Sequence, residues 1–316
     1  MQETHSNKFS NNIDDEIDLR ELFYVLFHGK WIIVSVTAFV SIIGVVYSLL
    51  LPNIYESKAL LVPVSTSSGI SKALGSYSGI AGLAGINLAS GDGDESNSNK
   101  ALKKISSLSF FENNILTNIY LPDLMAVKSW KHETNILDYN EMIYKRNSNT
   151  WVRDYSYPMQ LIPSAQEAFK VFTTKHLSLN EDKKTGFITL SIKHQSPFVA
   201  KQWAELVVNE VNAFYRQKDK SASEKAVNYL NQQISITTLS ETKQAIVELL
   251  QEETKKLTLI EANEFYVYDY IDPPAVMERK SEPRRSIICI IIALLGGMLS
   301  IIVVLIKHYV IKQNVA

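Results

Sequence analysis

Two stretches without a single charged side chain constrain this chain more than any other feature. One is WIIVSVTAFVSIIGVVYSLLL, Trp31 to Leu51, and the other is IICIIIALLGGMLSIIVVLI, Ile287 to Ile306. Each has about 20 residues, which a helix rising ~1.5 Å per residue needs to cross a hydrocarbon core of about 30 Å. The first run is longer than the apolar segment of a cleaved signal peptide and has no A-x-A site before Pro52. A core helix of a soluble domain would carry charge on its outer face, and the second run carries none. The chain therefore reads as an amino-terminal segment 1–30, a span 31–51, a middle domain 52–285, a span 286–306 and a tail 307–316.

Orientation follows from the cations beside the spans. Arg20 and Lys30 precede the first, and Lys307 and Lys312 follow the second. They place both termini on the cytoplasmic side and the middle domain outside the inner membrane of a bacterium. Arg279, Lys280, Arg284 and Arg285 point the other way, but the middle domain exceeds the loop length over which such charges count. Trp31 and Tyr309 fall at the inner interface. The single cysteine, Cys289, lies inside the second apolar run, so no disulfide staples the middle domain. With 32 basic against 33 acidic residues, the chain lacks the cationic excess that nucleic-acid binding requires.

The middle domain opens with IYESKALLVPV, residues 54–64, rich in long apolar residues and read as a strand. Residues 65–99 are Gly- and Ser-rich and read as a mobile loop or a weak helix of small residues. Asp92, Asp94 and Glu95 within them do not make a calcium loop, because the glycine and glutamate it needs are replaced by Asn97 and Lys103. Ser164-x-x-Glu167 is a capping box opening a helix through Lys175. Phe187 to Lys193 alternates as a strand, and His176 and His194 at its flanks read as solvated.

Ser196 and Pro197 suit an N-cap and a first helical position. Beyond them a stripe of Ala200, Trp203, Ala204, Val207, Val208, Val211, Phe214 and Tyr215 keeps three–four spacing. No proline or glycine interrupts 198–270, so the pattern predicts a long helical region over 197–262, with at most a kink near Ser221-x-x-Glu224. Such a helix is too long for a compact domain of this size. It either lies across a sheet or packs on copies of itself, and the latter makes Trp203, Val207, Val211 and Phe214 candidate oligomer contacts. FYVYDYI, 265–271, alternates as a strand with Tyr266, Tyr268 and Tyr270 on one face, a ladder that suits either sugar binding or, more commonly, a half-buried sheet face under helices. Pro273, Pro274 and Pro283 keep the linker 272–285 extended.

No catalytic signature is present: no phosphate-binding glycine loop, no H-E-x-x-H, no G-x-S-x-G, no Cys/His cluster. No cofactor or metal is expected, and the chain does not read as an enzyme. The spans carry small residues four apart, at Ala293/Gly297, Gly296/Ser300, Thr37/Ser41 and Gly44/Ser48, a spacing that lets helices approach closely. No ionisable residue interrupts either span, which argues against an ion pathway.

The chain resembles the Wzz-type polysaccharide co-polymerases, the chain-length determinants of bacterial surface polysaccharides. EIDLRELFYVLFHGKWIIVSVTAFVSIIGVVYSLLLPNIYESKALLVP is similar to the family's amino-terminal module. IDPPAVMERKSEPRRSIICIIIALLGGM resembles its proline linker and second span, though the linker has few prolines. GLAGINL, LMAVKSW, EDKKTGFITLSIKHQSP and AKQWAELVVNEVN resemble the longer O-antigen-type members. The resemblance implies an α+β chain in which two transmembrane helices flank a periplasmic α/β base with a long protruding helix. It implies a ring-shaped homo-oligomer that regulates O-antigen (lipopolysaccharide) chain length without a reaction of its own. The implied partners are a separate membrane polysaccharide polymerase and the growing lipid-linked polysaccharide. The alternative is a component of an exopolysaccharide or capsule export system; the tail 307–316 is too short for a fused kinase. Two other classes fit less well. A periplasmic glycan hydrolase would need a working carboxylate pair, and a sensor would need an internal signalling domain.

Overall fold

The structure is a computed structural model that describes residues 19–64 and 97–314. Two compact units compose it, Pro52–Glu282 and the helices on either side of it in sequence.

The flanking unit contains α1 (Leu19–His28), α2 (Lys30–Leu50) and α8 (Arg285–Asn314). The last two are long and apolar enough to cross a membrane. Their apolar windows are only 11% and 17% buried, whereas the core helix of a soluble protein is mostly buried. They run antiparallel. Gly44 of α2 lies against Ile292, a Cβ there falling 2.6 Å from its Cγ2, and Gly296 lies against Val40 and Thr37. Glycine at both crossings is what lets the backbones come this close.

The other unit is built on a four-stranded antiparallel sheet of order β6-β7-β1-β8. Its strands are β1 (Tyr55–Pro63), β6 (Leu177–Glu181), β7 (Ile188–His194) and β8 (Tyr268–Asp272). Two small hairpins, β2 (Val127–Lys131) with β3 (Ile136–Tyr139) and β4 (Tyr144–Lys145) with β5 (Thr150–Trp151), stand apart from it. The short helices are α3 (Asn97–Ile105), α4 (Leu121–Met125) and α5 (Ala165–Val171). The Ser164 cap forms as the capping box predicts, accepting from the Glu167 amide, and a π turn (Phe172–His176) continues α5 into β6.

Alternation along β1 and β7 puts Ala59, Leu61, Ile188, Leu190 and Ile192 on one face. The first half of α6 (Pro197–Ile236) lies in the same core, starting at Ser196, whose side chain accepts from the Val199 amide. Trp203, Val207 and Val211 are 3%, 0% and 0% exposed. Phe214 is half-buried, edge-on to Phe110 and under the Lys104 ammonium. This corrects the expectation that Trp203, Val207, Val211 and Phe214 pack subunit against subunit. The stripe closes the chain's own core, because the sheet offers an apolar face that must be covered.

The helical region is not one helix. α6 has 40 residues, about 60 Å at ~1.5 Å per residue, and runs straight through Ser221 without a new start. It ends at Thr237, and α7 (Ser240–Ala262) folds back along it. The break falls in ISITTLS, where Thr237 Oγ1 donates to the Gln233 carbonyl at 2.7 Å. Ser and Thr are poor helix formers because such side chains bond the backbone themselves. Lys220 pairs with Glu261, and Arg216 donates to the Asn263 and Glu264 carbonyls.

The tyrosine strand begins later than its alternation predicts, at Tyr268 rather than Phe265, and Tyr266 packs just before it. Tyr268 is fully buried with its hydroxyl donating to the Ser98 carbonyl, and the Tyr266 hydroxyl donates to Asp219 at 2.6 Å. Of the Gly/Ser-rich reading over 65–99, residues 65–96 lie outside the described residues, and 97–99 belong to α3.

Candidate functional site

The end of β7 carries three consecutive polar residues, Lys193, His194 and Gln195, into a cavity of about 530 Å³. Asp123 from α4, Arg153 beyond β5, and Lys175 and His176 from the π turn also line it, over apolar walls that include Met125, Ile143 and Val171.

His194 is 2% exposed, against the expectation that both histidines are solvated. The Ser196 amide donates to its Nδ1 at 3.0 Å, so its Nε2 carries the proton and donates to the Asp123 carbonyl at 3.0 Å. Both nitrogens are held by backbone, so this ring cannot relay a proton without breaking a bond that positions the start of α6. His176 donates through Nδ1 to the Lys193 carbonyl at 2.6 Å, which leaves Nε2 as an acceptor. The Trp203 ring stands edge-on to both imidazoles, 5.0 Å from His194 and 5.5 Å from His176. Burial pushes both histidines toward their neutral forms, His176 to about 4.

Burial also raises the Asp123 carboxyl, offset in part by the Tyr139 hydroxyl donating to it at 2.6 Å and by the charge of Arg146. Arg153 is committed to structure. It forks onto Glu167, which it holds below the usual carboxylate range, and its Nε donates to the Leu161 carbonyl at 3.0 Å. Lys193 pairs with Glu282 at 2.6 Å. Gln195 Oε1 is buried without a hydrogen-bond partner. Among the described residues, no group of three or more His, Cys, Asp or Glu is arranged to hold a metal ion. The alternation of β7 carries one signal for His194, which shares the parity of Ile188, Leu190 and Ile192. No local signal marks His176, Asp123 or Gln195.

A second feature ties the two ends of this unit together. The Ile54 amide donates to the Glu282 carbonyl at 2.9 Å, the Ser281 amide returns to Ile54 at 2.8 Å, and Lys280 reaches Asn53. Buried Ser57 donates to the Ala275 carbonyl at 2.8 Å, just after Pro273 and buried Pro274. The linker is free of helix from Pro273 to Arg284, with Pro283 just before α8. In the flanking unit, Ser300 is buried and its hydroxyl lies 3.3 Å from that of Thr37, while Gly296 meets α2. Ala293 is half-buried, and a Cβ at Gly297 would meet nothing within 4 Å.

Residues 15–118 match the family model for Wzz, chain length determinant protein. Over that segment the chain is Wzz-like. The Wzz-like segment takes in α2, β1 and α3, hence the first apolar helix and a central strand of the sheet. Among solved structures, the chain is similar to a full-length bacterial polysaccharide co-polymerase, at 16% identity and a TM-score of 0.41, over 95% of this chain and 100% of that one. It is also similar to a fragment of WzzB, a polysaccharide co-polymerase from Salmonella Typhimurium. There the identity is 13% and the TM-score 0.30, over 73% of this chain and 100% of that one. No curated protein matches.

Proposed function

We propose that this chain is a non-catalytic regulator of O-antigen chain length. It sits in a bacterial inner membrane through α2 and α8, with both termini cytoplasmic and Pro52–Glu282 periplasmic. It acts as a ring-shaped homo-oligomer on a separate membrane polysaccharide polymerase, and sets how many repeat units are added before the chain is released. The observation that carries this reading is the Wzz match over residues 15–118. Two helices long and apolar enough to cross a membrane, one before and one after the sheet-containing unit in sequence, support it. With the Trp203 stripe committed to the core, subunits meet instead along the α6–α7 hairpin, where Tyr229, Ile236, Leu239 and Leu249 are exposed. The small residues Ala293, Gly296, Gly297 and Ser300 serve close packing of the spans.

The test is a gel of lipopolysaccharide from the native host with and without the gene. Deletion is expected to turn a clustered ladder into a steadily decaying one, because the polymerase works on without its ruler. An unchanged ladder with loss of secreted polysaccharide would overturn the reading and assign the chain to an export system.

A further inference from the structure

We propose that the cavity between α4, the π turn and the end of β7 binds one sugar unit of the polysaccharide, through Asp123, Lys175, His176 and Gln195. The choice of a sugar among hydroxyl-rich ligands rests on the proposed function; the choice of a hydroxyl-rich ligand rests on the lining. About 530 Å³ is within the range of small-molecule sites and is ample for one pyranose ring.

The lining groups sort into those already occupied and those open. Arg153, Lys193 and His194 are tied to Glu167, Glu282 and backbone respectively. Five remain, the Asp154 carboxylate among them. His176 has an open acceptor at Nε2, since its only hydrogen bond is made by Nδ1. Asp123 uses one carboxylate oxygen for Tyr139 and keeps the other. Gln195 Oε1 is a buried acceptor with no donor, which costs free energy until a donor arrives. Lys175 is exposed at the rim and supplies a donor.

Four acceptors and one donor around an apolar floor select the ligand by its chemistry. A multivalent anion would meet the Asp123 and Asp154 carboxylates, and a cation would meet Lys175 and Lys193. Vicinal hydroxyls donate and accept from neighbouring atoms, so a sugar ring pairs with acceptors and donor alike. Its C–H faces suit Met125, Ile143 and Val171. The open acceptor gives the neutral His176 imidazole a use at the cavity: a neutral ring accepts from a hydroxyl, and a charged one does not.

The experiment uses the full chain in nanodiscs. The probe is one repeat unit of the host's polysaccharide, freed from its lipid carrier by mild acid, titrated by saturation-transfer NMR. Saturable binding is expected, with a shift of the His176 Nε2 resonance. Gln195→Met and Lys175→Ala are each expected to weaken binding roughly tenfold, because each removes a group that pairs with a hydroxyl. Lys175 is exposed, so its variant keeps the fold even if Gln195→Met does not, and Lys183→Ala in the β6–β7 turn is expected to bind like the parent. Absence of saturable binding overturns the proposal. So does binding that both variants leave unchanged, since the glycan is then held elsewhere and water satisfies Gln195. Sugar binding with an unchanged lipopolysaccharide ladder defeats the proposed function and keeps the site. A ladder that depends on the gene, without sugar binding, does the reverse.

Discussion

The first half of α6 and the hairpin that its second half makes with α7 are one run of helix-forming sequence in two opposite environments. From Pro197 to Tyr215 the helix buries nine side chains' worth of stripe and anchor positions, among them Trp203, Val207, Val211 and Asn212. Beyond Tyr215 only Ser223 of α6 and Ile260 of α7 are buried. Both halves carry apolar residues, so composition does not separate them. A helix face is buried when another element supplies a matching surface. The sheet supplies one to the first half, while a single partner helix covers only a strip of the second.

Asn212 marks the boundary. Its Oδ1 accepts from the amides of Tyr266, Val267 and Tyr268 at 3.3, 2.7 and 3.0 Å, and its Nδ2 donates to the Tyr268 carbonyl at 2.9 Å. One buried amide thus satisfies the backbone where the chain leaves the hairpin and enters β8, a place where unpaired groups would be expensive. It occupies a polar position inside an apolar stripe, and its partners lie more than 50 residues away.

The contrast can be broken from either side. Trp203→Ala removes the largest side chain of the buried half and is expected to destabilise the domain by about 3–5 kcal/mol, read as a lowered unfolding midpoint. Val207→Asp, also within the core, is expected to act the same way, by loss of fold before any change of assembly. Asn212→Ala is expected to cost about 2–3 kcal/mol by stranding buried backbone donors, and hydrogen exchange at Val267 and Tyr268 is expected to accelerate. If exchange there is unchanged, the clamp is not what holds the start of β8.

Acid is expected to loosen the same half. His176 titrates from an ordinary 6.5 down to about 4 when folded, because burial favours the neutral ring, and His194 and Lys175 add to the effect. The unfolded chain therefore binds more protons between those values. Stability from this group is complete above about pH 6.5 and is lost as pH falls toward 4, with Asp123 the facing carboxyl. Melts across that window are expected to flatten in His176→Gln. The smallest effect on stability is expected at Leu249→Asp, where an exposed hairpin residue changes the unfolding free energy by no more than about 0.5 kcal/mol. The same variant is expected to reduce the size of the oligomer in detergent; an unchanged size would remove the hairpin as the subunit contact.

Legibility divides along the same line. The apolar helices, the Ser164 and Ser196 caps, the strand read over 187–193 and part of the tyrosine strand could be read because their signals lie within a few residues of one another. Thr237 was harder. Its neighbourhood is visibly Thr-rich, but without proline or glycine nothing local separates a break from a weak turn of helix. The cavity was not legible, since Asp123, His176 and Gln195 come from three elements and none belongs to a motif.

Sequence alone determined where the apolar helices lie, where the major helix begins, and which face of β7 is apolar, because caps and periodicity are local properties of the backbone. Tertiary structure decided the rest. It set the strand order β6-β7-β1-β8, folded α7 back on α6, turned the Trp203 stripe onto the chain's own sheet, and brought buried His194 and half-buried His176 together beside a cavity. The reason is physical. A stripe of apolar side chains records that a face will be covered, and only the packing of distant segments settles what covers it.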